Sequence, residues 1–288
     1  MKRNLNKKSP RKTGYRMDRY KKKKRLKLWV WLVIITINII VVIIALYQIN
    51  NWDKDNKSTN KQLKEIKDKV KEEQSNSNEE LINQQDDKDN DYWNYIKLPL
   101  VSVDFKELLE KNSDTVAFLK VNGTNINYPV VQTNDNEYYL HHSYNKTKND
   151  AGWVFLDYRN NLDNLQENSI IYAHGRYDTT MFGSLKNVFK SDWYNKTDNY
   201  VVYLSTPKKN MLWQIFSVYK IKTETYYLTS SFASDESYQK FINTIKERSK
   251  YNFNTNVTTN DRILTLSTCY NSSEKVVLHA KLIKIQNR

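Results

Sequence analysis

The sequence predicts a mainly β domain, a closed or nearly closed barrel with helical insertions, preceded by one transmembrane helix. Three observations predict it. Strand-like runs rich in β-branched and aromatic residues recur after Tyr92. A clearly amphipathic helix interrupts them late in the chain. Near the N-terminus lies a 20-residue stretch without a charge, about the length a helix needs to cross the hydrocarbon core.

Residues 1–27 carry 14 basic side chains against one acid, Asp18, in a chain of net charge +14. The other 261 residues hold 32 basic and 31 acidic groups. The excess is therefore a local tail and not a binding face of the folded domain. Such a tail binds nucleic acid only non-specifically, so no specific nucleic-acid partner is expected. Anionic lipid headgroups account for the same residues. Residues 28–47 form the apolar run, with Trp29, Trp31, Tyr47 and Trp52 near its ends, where aromatic rings favour the headgroup level. Asn38 is the one costly residue inside it. A cleaved signal peptide is the competing assignment, but the run is long and no small-residue cleavage site follows. The reading is an uncleaved, single-pass anchor in the cell membrane. The positive-inside rule then places residues 1–27 in the cytoplasm and the chain after about residue 48 outside.

Residues 48–91 are rich in Lys, Asp, Glu, Asn and Gln. Leu63, Ile66 and Val70 have helical spacing and suggest a short polar helix; the rest reads as a solvated extracellular spacer. Residues 92–288 suffice for one domain with a full core. Phe105, Leu108 and Leu109 mark a short helix beginning near Ser102 or Asp104. Strands are expected at 117–121, 128–132, 152–156, 169–173, 200–204, 211–221, 262–269 and 275–285. Between the sixth and seventh, Tyr238, Phe241, Ile242 and Ile245 fall at i, i+3, i+4 and i+7, with Ser234 as N-cap of a helix over 234–248.

Cys269 is the only cysteine and ends the strand at 262–269. It cannot serve an internal disulfide, so its thiol is either buried filler or a nucleophile. A nucleophilic thiol needs a base or ion-pair partner and a group that stabilises the oxyanion. Of the four histidines, His141 and His142 lie in a polar, turn-like stretch and His279 lies inside the last strand. His174 directly follows a buried strand, which places it on the barrel rim, where functional groups collect. By strand parity Thr265, Ser267 and Cys269 share one face and Leu264, Leu266 and Thr268 the other. Ser267 thus stands beside the thiol and either orients substrate or is a polar residue on a solvated face. A lone cysteine is most often a small buried hydrophobe, so position alone makes a limited case. No cluster has the ligand spacing of zinc or calcium, and no metal or cofactor is expected.

Thr265-Leu266-Ser267-Thr268-Cys269 resembles the active-site strand of class B sortases, the membrane-anchored cysteine transpeptidases of Gram-positive bacteria. Six more motifs follow the family's order. They are Asn122-Gly123-Thr124-Asn125-Ile126-Asn127-Tyr128-Pro129-Val130-Val131-Gln132, Asp135-Asn136-Glu137-Tyr138-Tyr139-Leu140, and Ala151-Gly152-Trp153-Val154-Phe155-Leu156-Asp157-Tyr158-Arg159. Then come Ile170-Ile171-Tyr172-Ala173-His174-Gly175, Met181-Phe182-Gly183-Ser184-Leu185 and Val276-Val277-Leu278-His279-Ala280-Lys281-Leu282. The resemblance runs from Tyr92 to the C-terminus. It implies a barrel of about eight strands, N-terminal helices and a long helix before the cysteine strand. It also implies roles. Cys269 attacks the carbonyl of a Thr in a C-terminal sorting signal, of the Asn-Pro-x-Thr or Pro-x-Thr-Gly type, to form a thioester. His174 protonates the departing amine and then assists an incoming one. Asn136, Leu140, Tyr172 and Ser267 match positions lining the substrate groove. The implied partners are surface proteins or pilins bearing the signal, and a cell-wall precursor or pilin amine as acceptor.

One position departs from the pattern. Sortases place an arginine at the start of the strand after the cysteine, and counting back from Ala280-Lys281 puts Lys275 in that slot. Lysine keeps the charge but loses the planar fork of donors. Three readings are open. Lys275 substitutes with reduced activity; Arg176, close to His174 in sequence, supplies the fork to substrate; or the domain is a degenerate, noncatalytic receptor or assembly scaffold that binds sorting signals without turnover.

Overall fold

The structure, a computed structural model, describes residues 27–70, 72–75, 80–81, 92–222, 224–269 and 273–288. The basic tail over 1–26, most of the expected spacer beyond residue 70, and Tyr270 to Ser272 lie outside the described residues, as does the side chain of Cys269. The chain divides into two units, Met1–Asn50 and Asn51–Arg288.

In the first unit the helix α1 (Leu28–Lys69) begins. Its early part is long and apolar enough to cross a membrane, and its Leu, Ile and Val side chains are exposed. The Asn38 amide donates to the Ile34 carbonyl at 2.7 Å, and the Thr36 hydroxyl donates to Leu32 at 2.9 Å. Each side chain thus donates one hydrogen bond a turn back within its own helix, which lowers the cost of Asn38 in lipid.

In the second unit, residues 51–69 of α1 carry a buried face. Thr59, Gln62, Leu63 and Ile66 are all enclosed. Asn149 donates to the Asp55 carbonyl and the Thr59 hydroxyl, and Lys111 pairs with Glu65 at 2.8 Å. The expected solvated spacer thus does not extend over these turns. Leu63 and Ile66 have their helical spacing because that stripe packs on the domain.

Leu100–Val103 is extended and pairs with Glu72–Ser75 outside the barrel. This moves the start of the next helix, expected at Ser102 or Asp104, to α2 (Lys106–Lys111), whose first amide is received by the Asp104 carboxylate. Among the described residues eight strands close the barrel. They are β1 (Thr115–Val121), β2 (Asn127–Val131), β3 (Phe155–Leu156), β4 (Asn168–Tyr172), β5 (Val201–Ser205), β6 (Lys209–Lys222), β7 (Ile263–Cys269) and β8 (Glu274–Asn287). Their order around the barrel is β7-β4-β3-β2-β1-β5-β6-β8, and β8 pairs back onto β7. The β7–β4 and β2–β3 pairs are parallel, and the rest are antiparallel. Closure removes the free edges that an open sheet of this size would present.

The third strand is shorter than its pattern suggests. Residues 152–154 leave the ladder because Gly152 adopts φ +60 and the Trp153 amide donates to Tyr139 instead. The barrel interior is apolar and includes Leu119, Val130, Ile171, Leu264, Leu266 and Leu278. A second cluster lies outside it, where α3 (Asp235–Glu247) covers β6, β7 and β8 with Tyr238, Phe241, Ile242 and Ile245. Ser234 and Ser237 form a reciprocal capping box at the start of α3. Burying each of the four apolar residues contributes roughly 1.5–3 kcal/mol.

Candidate active site

A groove of about 400 Å³ opens on the outer face of the barrel where β4, β7 and β8 meet. Asn136, Leu140, Tyr172, His174, Ser267 and Lys275 all line it. The ladder brings the strand residues into line. Ser267 of β7 stands in register with Tyr172 of β4 on one side and Val277 of β8 on the other. Two residues further along, the backbone of Cys269 pairs with that of Lys275. Residues directly opposite in an antiparallel pair are within side-chain reach of one another.

His174 follows β4 and is largely enclosed. Its Nε2–H donates to the Leu140 carbonyl at 2.8 Å, which leaves Nδ1 as the acceptor of the neutral ring. Burial lowers its pKa, and repulsion from His141, Arg176 and Lys275 acts in the same direction, against the pull of the Leu140 carbonyl. The ring seats against Gly152. A Cβ there would approach His174 Cδ2 at 2.9 Å and the Tyr139 carbonyl at 2.6 Å, and φ +60 would strain any other residue.

Asp157 organises the groove floor. Burial pushes its carboxyl up, but hydrogen bonds from Arg159 and Tyr172 outweigh this and hold it below the usual carboxylate range. Arg159 grips both carboxylate oxygens, at 2.8 and 2.7 Å. The Tyr172 phenol donates to Oδ2 at 2.8 Å and the Asn136 amide at 3.0 Å. The Asn136 carbonyl oxygen in turn accepts from Tyr158 N. Asn136 and Tyr172 therefore present fixed faces to the groove. Ser267 is buried, with its Oγ 3.1 Å from the Tyr227 hydroxyl. The outer face of β7 at this point is covered by the segment around Tyr227, not solvated.

Arg176 lies outside this groove. Its guanidinium bonds Thr180, Asp178 and Asn56, and it lines a separate small cavity with Lys186 and Phe182. Sequence reasoning missed Tyr227 and Leu228, which form the opposite wall. They sit in a turn without hydrophobic periodicity, so no pattern marks them. Asp157 and Arg159 stood inside a quoted motif, and their opposite charges at i and i+2 were the signal available.

A sequence model of the sortase domain matches residues 119–283. The chain belongs to the sortase family, class B. It is 36% identical over 185 residues to sortase B of Staphylococcus aureus, spanning 63% of this chain and 75% of that one. It is 35% identical over 186 residues to sortase B of Listeria monocytogenes, spanning 62% and 74%. Among solved structures, a Staphylococcus aureus sortase B–substrate complex superposes with a TM-score of 0.58 at 36% identity, covering 62% of this chain and 84% of that one. This sortase shares its barrel fold with that solved structure.

Proposed function

We propose that this sortase is a membrane-anchored transpeptidase with Cys269 as nucleophile, His174 as acid and base, and Lys275 as the cation that steadies the oxyanion. The Cys269 sulfur attacks the carbonyl carbon of a threonine in a C-terminal sorting signal. The C–N bond breaks, the departing amine takes a proton from His174, and a thioester remains. An acceptor amine of a cell-wall precursor or pilin then attacks, gives a proton to His174, and releases the thiolate as the C–S bond breaks. The basic tail stays in the cytoplasm and the barrel stands outside the membrane.

The observation that carries this reading is the convergence of Asn136, Leu140, Tyr172, His174, Ser267 and Lys275, from four separate stretches of chain, on one groove beside the Cys269–Lys275 rung. A cation on the same rung as a thiol is the kind of neighbour that favours thiolate. The lowered pKa of His174 makes the imidazolium scarce near neutrality, so the thiolate–imidazolium form is the minor one and a strong acid when populated. Ser267, Tyr172, Asn136 and Leu140 hold the signal peptide. Arg176, engaged by Asp178, Thr180 and Asn56, leaves the oxyanion role to Lys275.

The test is intact mass of the full-length protein in detergent, incubated with peptides of the Asn-Pro-x-Thr and Pro-x-Thr-Gly types. The expected result is a peptide-specific thioester adduct that Cys269→Ala abolishes and Lys275→Arg forms faster. Peptide binding that survives Cys269→Ala, with no adduct on the wild type or Lys275→Arg, would replace the enzyme with a sorting-signal receptor.

A further inference from the structure

The groove wall opposite β4 is held by its backbone. The Tyr227 and Thr229 carbonyls both accept from the Asn168 side-chain amide, at 3.2 and 2.9 Å. The Leu228 carbonyl accepts from Arg159 at 3.0 Å. The Ser230 carbonyl accepts from the Asn168 backbone amide at 3.1 Å. Four consecutive carbonyls of the wall are thus fixed by two residues of the barrel.

The Asn168 amide is itself oriented from behind. Its Oδ1 accepts from the Thr265 hydroxyl at 2.6 Å. That uses the only proton of the hydroxyl, so the 2.8 Å contact between Thr265 Oγ1 and His279 Nδ1 is donated by the ring. His279 is fully buried among Phe216, Tyr219 and Phe241, and burial lowers its pKa to about 3. The ring is therefore neutral with its proton on Nδ1, and Nε2 accepts from the Tyr219 hydroxyl at 2.8 Å. Tyr219 accepts from Tyr226 at 2.8 Å. Every donor and acceptor direction in the series is determined. Tyr226 precedes Tyr227, so the chain leaves the wall through one tyrosine and returns to it through Asn168. What sets this histidine apart from a space-filling one is that its two paired nitrogens join Tyr226, next to the wall, to Asn168, which holds the wall.

We infer that Asn168 and His279 are positioning residues of the sorting-signal groove, which set its grip on the donor peptide by fixing the Tyr227–Leu228 wall from behind. This rests on the reading of the groove as the signal-peptide site. Neither residue touches the reacting atoms, so the consequence falls on KM more than on kcat. Because the links between His279 and Asn168 run through Nδ1–H, the two amide isosteres separate its two halves. His279→Asn keeps a donor near the Nδ1 position and loses the acceptor. His279→Gln reaches the Nε2 position and loses the donor to Thr265.

The experiment measures peptide KM and kcat, together with amide hydrogen exchange over residues 224–230, on full-length protein in detergent. Expected results are a roughly tenfold higher KM and faster exchange in Thr265→Val and His279→Gln, with kcat within about twofold, and only a two- to threefold higher KM in His279→Asn, which loses the Tyr219 link alone. Tyr226→Phe deletes only the outer hydroxyl of a half-buried ring and should raise KM about two- to threefold even if the core variants fold poorly. Equal loss of thermal stability in both His279 variants without a KM difference between them, or unchanged exchange over 224–230 in all four, would overturn the inference. If no peptide acylates the wild type, the function reading fails instead. The exchange pattern would still support or refute the role of Asn168 and His279 in holding the wall.

Discussion

The two faces of β7 are built on opposite principles. Inward, Leu264 and Leu266 join the apolar interior of the barrel and make no polar contact. Outward, Thr265 bonds Asn168 and His279, and Ser267 meets Tyr227. Both faces are buried to a similar degree, so burial alone does not distinguish them. Apolar packing is non-directional and tolerates small displacements, whereas a hydrogen-bonded series fixes each partner in distance and angle. One strand thus supplies cohesion on one side and geometry on the other. The side that needs geometry is the one that carries the groove.

The comparison can be broken by substituting each face in turn. Leu266→Ala should have the largest effect, a loss of about 2–5 kcal/mol of stability in denaturant titration, because the closed barrel cannot fill the space. If the inward face serves cohesion only, the surviving folded fraction keeps its peptide KM. A changed KM would show that the two faces are coupled. On the outward side, Gly152→Ala should cost about 100-fold in the kcat of the folded fraction and also lower stability, since the added methyl meets His174 and two backbone carbonyls at a positive φ, and a displacement of about 1 Å can cost that much in rate. An unchanged rate would mean that the His174 ring does not need its present seat.

The outward face should also be the acid-sensitive one. His279 titrates at about 3 in the folded protein against about 6.5 unfolded. Between those values the unfolded chain binds the extra proton, so the contribution of neutral His279 is fully present above pH 6.5 and is lost as pH falls. The expected slope is about 1.4 kcal/mol per pH unit from this residue. Lowered His174 adds in the same direction. His279→Phe should flatten the pH dependence of unfolding measured from pH 7 to 4; an unaltered slope would place the acid sensitivity elsewhere. The smallest expected effect is at the rung. Lys275→Arg should raise kcat/KM by about three- to tenfold, since a second parallel donor is restored without a change of charge. A decrease would show that the shorter, flexible ammonium is the better fit to this groove.

Much of the fold was legible because the relevant signals are periodic. Tyr238, Phe241, Ile242 and Ile245 give α3 its face, and Ser234 its start, as the spacing predicts. Most barrel strands fall within one or two residues of their apolar runs. The strand expected at 152–156 is mostly lost because Gly152 takes a left-handed conformation, which an alternating pattern does not register. In the groove, residues on strands and in quoted motifs were accessible to reading. Tyr227 and Leu228 were not, because their placement depends on Asn168 and Arg159, which lie about 60 to 70 positions away. Asn168 and His279 were equally silent, because what identifies them is the direction of protons between strands that only the closed barrel brings together.

The buried stripe on residues 51–69 bears on how the protein can be trimmed. A soluble fragment beginning near residue 90 would remove Thr59, Gln62, Leu63 and Ile66 from the domain. It would uncover an apolar patch and strip Asn149 and Arg176 of their helix partners. Such a fragment invites self-association during purification and a loosened loop two residues from His174. A cut near residue 50 keeps the stripe in place and discards only the basic tail and the apolar segment, so the shorter fragment is the one prone to precipitate although it contains less of the membrane anchor's neighbourhood.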